Sequence, residues 1–151
     1  MAKSAATRGT EDQELVAGRL SLPAEPSRLA GARDVLAGAL ERQRWSDTSR
    51  SAVLVAVTEA LANALEHGST AGGEVAVGFV VGRERATVRV RDHGGADPGA
   101  RPVTDPEPPP PAADRGRGAV LMHGLAERVV IREHGPGTEV RMEFAADRAP
   151  A

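Results

Sequence analysis

Between Val53 and Gly68 the chain reads V-L-V-A-V-T-E-A-L-A-N-A-L-E-H-G, with Leu54, Val57, Leu61 and Leu65 recurring at spacings of three and four. At about 100° per residue those side chains form one stripe of a helix. Glu59 and Asn63, four residues apart, share the opposite face one turn above the other. That face holds Val55, Ala56 and Ala62 beside them, and no lysine or arginine occurs from Ser51 to Gly72. A face so poor in charge is expected to be covered rather than fully solvated.

The same reading gives the other elements. Glu14 to Leu22 alternates and reads as a strand ended by Pro23. A helix capped by Ser27 is predicted to run to about Arg44, burying Leu29, Ala32, Leu36 and Leu40. Ser46 or Asp47 suits the cap of the following helix, and Gly68 its C-terminal end. Glu74–Val81 and Arg85–Arg91 alternate as an antiparallel hairpin, with Val75, Val77 and Phe79 on one face of the first strand and Ala86, Val88 and Val90 on one face of the second. Ala96 to Asp114 is a long proline-rich loop, followed by a helix from about Ala119 to Glu127 and strands at Arg128–Arg132 and Thr138–Phe144. The order β-α-α-β-β-loop-α-β-β predicts an α+β, two-layer α/β sandwich: a mixed, mostly antiparallel sheet with helices on one face. Residues 13–145 are expected to form one domain between disordered tails at 1–12 and 146–151.

Composition narrows the function. A net charge of −2 argues against a dedicated nucleic-acid or membrane-surface binder. The absence of cysteine removes disulfides, thiolate catalysis and cysteine zinc sites. No apolar run approaches the roughly 20 residues of a membrane span, and the N-terminus has no secretory signal, so a cytoplasmic protein is expected. Trp45, Phe79 and Phe144 are the only aromatics, which leaves little for stacking against bases or sugars. Lys3 is the only lysine, so neither a P-loop nor a eukaryotic-type kinase strand lysine can be present. Phosphate contacts would fall to arginine or to backbone N–H groups.

Several residues can carry chemistry, each with an ordinary alternative. Glu59 can polarise a hydroxyl and Asn63 can ligate a hard cation, although such a pair also decorates plain polar faces. Asp92, followed by His93 and Gly94, can accept from an exocyclic amine while Gly94 admits a flat ring; an Asp/Gly turn is the alternative. Gly116-Arg117-Gly118 opens a helix, where unpaired N–H groups favour phosphate. Thr138 can line a pocket or merely occupy a strand. His67, His93, His123 and His134 show no metal-ligand spacing on one element.

Order and spacing join these fragments. Thr58-Glu59-Ala60-Leu61-Ala62-Asn63-Ala64-Leu65-Glu66-His67-Gly68 resembles the N-box of the histidine-kinase-like (GHKL, Bergerat-fold) ATPases, and more narrowly that of the bacterial anti-sigma factor serine/threonine kinases, with its Glu-X-X-X-Asn-Ala-X-X-His-Gly pattern. Asp92-His93-Gly94 resembles the first glycine box, Gly116 to Met122 the second, and Gly137-Thr138 the final Gly-Thr. The resemblance covers about residues 14 to 144. It departs at the first glycine box, usually Asp-X-Gly-X-Gly, where the second glycine falls one position early at Gly95 and leaves Ala96.

The resemblance implies ATP and Mg²⁺ as ligands. Asn63 would hold Mg²⁺, and Glu59 would be the general base toward a serine or threonine hydroxyl. Asp92 would bind the adenine amino group, with Gly94 beneath the ring and Thr138 nearby. Residues 96–114 would form a lid. Gly116 and Gly118 would offer N–H groups to the phosphates, with Arg115 or Arg117 as charge partners. It further implies a sigma factor and a STAS-type anti-anti-sigma protein as partners, a possible homodimer, and no direct contact with nucleic acid or membrane. A sensor histidine kinase is not expected, because no helical segment with a phospho-acceptor histidine precedes the ATPase region. A non-catalytic, partner-switching ATP-binding module is the alternative, in view of Ala96.

Overall fold

The hairpin foreseen between Glu74 and Arg91 lies at the middle of the sheet, as β2 (Glu74–Val81) and β3 (Arg85–Asp92). The computed structural model describes residues 14–67, 73–93, 122–134 and 137–147. Both strands bury every second side chain: Val75, Val77, Phe79 and Val81 on β2, and Ala86, Val88, Val90 and Asp92 on β3. β1 (Val16–Pro23) adds outside β2. On the other side β5 (Gly137–Ala145) inserts between β3 and β4 (Arg128–His134), giving the order β1-β2-β3-β5-β4. Every pairing is antiparallel, so the described strands contribute no parallel component to the sheet.

α1 (Pro26–Arg42) lies over β1 and β2, and α2 (Asp47–His67) over β3 and β5, on the same face of the sheet. This is the two-layer α+β arrangement expected from the sequence. α1 begins earlier than foreseen. Glu25 occupies the N-cap position and makes no side-chain cap bond, and Pro26 follows within the first turn. Proline suits that place because its missing N–H would be unpaired there anyway.

α1 also ends at Arg42, two residues short of the expected end. The N–H of Trp45 donates to Leu40 O at 3.1 Å and that of Arg44 to Glu41 O at 2.9 Å. This is the paired bonding of a Schellman end, with Arg44 in the left-handed region at φ 61°. Tertiary contacts fix the stop. The buried Trp45 indole donates to Gly82 O at 2.8 Å, and Gln43 Nε2 donates to Val81 O at 3.1 Å and to Glu14 O.

The core combines Leu29, Leu36 and Leu40 of α1 with the alanine- and valine-rich side of α2 and the inward face of the sheet. All three aromatic residues are buried there, and Met122 and Met142 fill the remaining volume.

Candidate functional site

α2 sets the direction of the site. Ser46 Oγ accepts the N–H of Ser49 at 3.1 Å, settling which of the two candidate residues caps the helix. Ser49 Oγ in turn accepts the N–H of Asp147, just beyond β5, at 2.9 Å. The start of α2 is therefore pinned to the end of β5. Along the helix, at about 1.5 Å per residue, Asn63 stands about 21 Å from Ser49. Along β5, at about 3.4 Å per residue, Thr138 stands about 30 Å from Asp147. Glu59 and Asn63 thus lie on the half of α2 farther from this pinned end, on a helix that packs on β3 and β5. The close of α2 is also near the start of β2 in sequence, and β2 pairs Val75 with Asp92.

The buried stripe of α2 differs from the one read off its leucines. Val53, Ala56, Val57, Ala60, Leu61 and Ala64 are buried, whereas Leu54 and Leu65 are half-buried at the edge. Ala56, expected beside Glu59 on the polar face, belongs to the core. The small alanines face the sheet, and the longer leucines fill the margin. At about 100° per residue, Asn63 sits roughly 85° and Glu59 roughly 125° from the centre of the buried stripe. Both are half-buried, so they occupy a flank rather than the opposite face. The other flank meets α1: Arg33 Nη1 donates to Thr58 Oγ1 at 3.3 Å, and Thr58 Oγ1 donates to Leu54 O at 2.6 Å. Glu59 and Asn63 are left on the side turned away from α1.

Asp92 ends β3 on its inward face and is one of three buried polar side chains among the described residues, at 8% exposure. Its Oδ1 accepts the backbone N–H of Thr138 at 3.2 Å. Sequence reasoning assigned Thr138 a hydroxyl role; the structure adds that its main chain orients the carboxylate. Gly137 is buried against the same turn, and a Cβ there would overlap Asp92 O and crowd His93 Cα. Gly-Thr therefore has a packing reason at its first position and a hydrogen-bonding reason at its second. The bare residue pair revealed neither, because the requirement comes from a strand 45 residues earlier in the chain.

Among the sequence candidates, the structure places Asp92 against Thr138, and Glu59 and Asn63 one turn apart on α2. Gly94, Arg115, Gly116, Arg117 and Gly118 lie outside the described residues, as does the expected lid at 96–114. His123 is exposed on a helical stretch that includes the buried Met122. Among the described residues no cluster of three or more His, Cys, Asp or Glu could hold a metal ion. Asn63 supplies a neutral oxygen, which suits an ion that completes its shell with phosphate oxygens and water. Among the described residues no helix is long and apolar enough to cross a membrane.

A half-buried carboxylate–amide pair on α2, a five-stranded antiparallel sheet and a buried carboxylate held by a Gly-Thr strand start together characterise this two-layer α+β domain. The family described as "Histidine kinase-like ATPase domain" matches residues 22–144, and the chain belongs to that family. Over 135 residues it is 27% identical to the serine-protein kinase RsbW of Bacillus pumilus strain SAFR-032, covering 83% of each protein. It also superposes with a TM-score of 0.66, at 17% identity, on the crystal structure of the RsbU and RsbW domains of a Mycobacterium tuberculosis protein. That match covers 89% of this chain and 33% of the other, so the chain spans about a third of that structure. The resemblance to the anti-sigma factor serine kinases drawn from the motifs is borne out by this family membership and these relatives.

Proposed function

We propose that this protein binds ATP with Mg²⁺, transfers the γ-phosphoryl group to a serine or threonine of a STAS-type anti-anti-sigma partner, and sequesters a sigma factor in the cytoplasm. One observation carries the reading: Glu59 and Asn63 stand one turn apart on a half-buried flank of α2, which packs on β3 and β5, the two strands joined by the Asp92–Thr138 bond. A carboxylate and an amide with no lysine or arginine from Ser51 to Gly72 suit a site that must accept a proton and hold a cation.

In this reading Asp92 accepts from the adenine amino group, its orientation fixed by the Thr138 N–H. Asn63 presents its amide oxygen to Mg²⁺. Bound there, the ion would screen the phosphate charge and make the γ-phosphorus more electrophilic. Glu59 takes the proton of the substrate hydroxyl as its oxygen forms the new P–O bond. The bond from the γ-phosphorus to the β–γ bridging oxygen breaks, and ADP leaves. Gly94, Gly116 and Gly118 would contribute close backbone approach and N–H donors, with Arg115 and Arg117 as charge partners.

The experiment is phosphotransfer from labelled ATP to a purified STAS-domain partner, with wild type and Glu59→Ala in parallel. Label that persists undiminished in the variant removes Glu59 from its role. The non-catalytic module is favoured by Ala96, which stands where the family pattern has glycine. Calorimetry separates the two: partner capture without any heat of ATP–Mg²⁺ binding would support the module.

A further inference from the structure

The face of the sheet turned away from both helices carries an unusual row of side chains. The registers Arg19↔Gly78, Gly78↔Arg89 and Arg89↔Arg141 align these residues across β1, β2, β3 and β5. Val130 of β4 closes the row opposite Arg141. No acidic residue lies in it. Arg89 and Arg141 stand directly opposite each other, an arrangement of like charges that weakens a sheet. Sheet stability therefore gives no reason for the pair.

Of the two neighbouring rows one is net basic and the other balanced. Arg91 and Arg132 flank Glu139, while Arg128 faces Glu143. Arg141 bonds Glu143 at 3.2 Å, yet the Nε atoms of Arg91 and Arg141 are buried with no hydrogen-bond partner among the described residues. Gly78 leaves a trough between Arg19 and Arg89, since a Cβ there would meet only Gly18 O at 4.0 Å. The side chains around Arg89 and Arg141 form a shallow depression.

We propose that this sheet face, which no described element covers, is a docking surface for an acidic protein segment, engaged through Arg19, Arg89 and Arg141. At about 4.8 Å between strands, Arg89 and Arg141 are close enough to share one carboxylate, with Arg19 about 10 Å from Arg89 for a second. Nucleic acid fits less well. Glu139 and Glu143 interrupt the patch and would repel a continuous phosphate backbone, and all three aromatics are buried, leaving none for bases to stack on. A second copy also fits less well: seven arginines on this face of the strands meet only three glutamates (Glu74, Glu139 and Glu143), so two copies face to face would bury unpaired guanidiniums.

The test titrates the full chain into a fluorescein-labelled octaglutamate peptide at low salt, following anisotropy, with a labelled thymidine octamer as the competing class. The charge-reversed pair Arg89→Glu and Arg141→Glu should weaken peptide binding about tenfold or more, whereas Arg42→Glu, on exposed α1, should leave it unchanged. Thermal unfolding confirms that the variants fold. Gly78→Leu fills the trough without altering charge and should weaken binding about fivefold, roughly 1 kcal/mol. The proposal is overturned if the peptide does not bind, or if charge reversal leaves its affinity intact. Tighter binding of the thymidine octamer through the same arginines, or sedimentation showing self-association that charge reversal abolishes, would also overturn it.

Discussion

Gly137 lies so tightly against the end of β3 that a single added carbon would overlap the carbonyl oxygen of Asp92. The next residue, Thr138, gives its N–H to the Asp92 carboxylate at 3.2 Å. Backbone packing and side-chain orientation are thereby coupled at one strand crossing.

Gly137→Ala should destabilise the fold by about 1–3 kcal/mol, because the strands must part to admit the methyl group. Gly78→Ala, in an equally central strand but with open space above it, should be neutral or slightly stabilising. Chemical denaturation of both variants checks the contrast, and equal losses would refute the packing argument.

Asp92→Asn keeps an oxygen for the Thr138 N–H but loses the charge offered to an amine. Unfolding free energy should remain within about 1 kcal/mol of wild type. Affinity for a fluorescent ATP analogue should fall about tenfold or more. A large loss of stability with affinity preserved would mark Asp92 as structural.

Glu59→Gln should lower phosphotransfer by about 10²- to 10⁴-fold with nucleotide affinity retained. Asn63→Ala should instead remove the magnesium dependence of nucleotide binding. The two effects are measured on the same preparations by filter-bound label and by calorimetry with and without Mg²⁺. If both variants lose affinity equally, the division of roles is wrong.

Arg44→Gly should raise stability by up to about 1 kcal/mol, since Arg44 holds a left-handed backbone at the end of α1 where glycine is unstrained. The gain is read as a shift of the denaturation midpoint at unchanged slope. No gain would show that the Trp45 and Gln43 anchors already absorb the strain.

Much of the fold was legible because periodicity reports burial directly. The hairpin alternation matched residue for residue, and the stripe Leu29, Ala32, Leu36 and Leu40 is buried as read. The reading of α2 was less accurate, because hydrophobicity ranks leucine above alanine while close packing on a sheet reverses that order. Ala56, Ala60 and Ala64 took the centre, and Leu54 and Leu65 the edge. The end of α1 was also misjudged. Its stop depends on bonds from Gln43 and Trp45 to Val81 and Gly82, far away in sequence.

The sequence by itself determined the element order, the inward faces of the strands, and the spacing of Glu59, Asn63, Asp92 and Gly137-Thr138 that marks the histidine kinase-like ATPase family. Local periodicity and motif spacing are properties of the chain alone. Only the tertiary structure decided that β5 passes between β3 and β4, bringing Thr138 onto Asp92 and leaving no room for a side chain at Gly137. It alone set Glu59 and Asn63 on a half-buried flank of α2 turned away from α1, and aligned Arg19, Arg89 and Arg141 across the sheet face opposite the helices. Such relationships arise from strand register and helix rotation, which depend on contacts between residues that no local pattern connects.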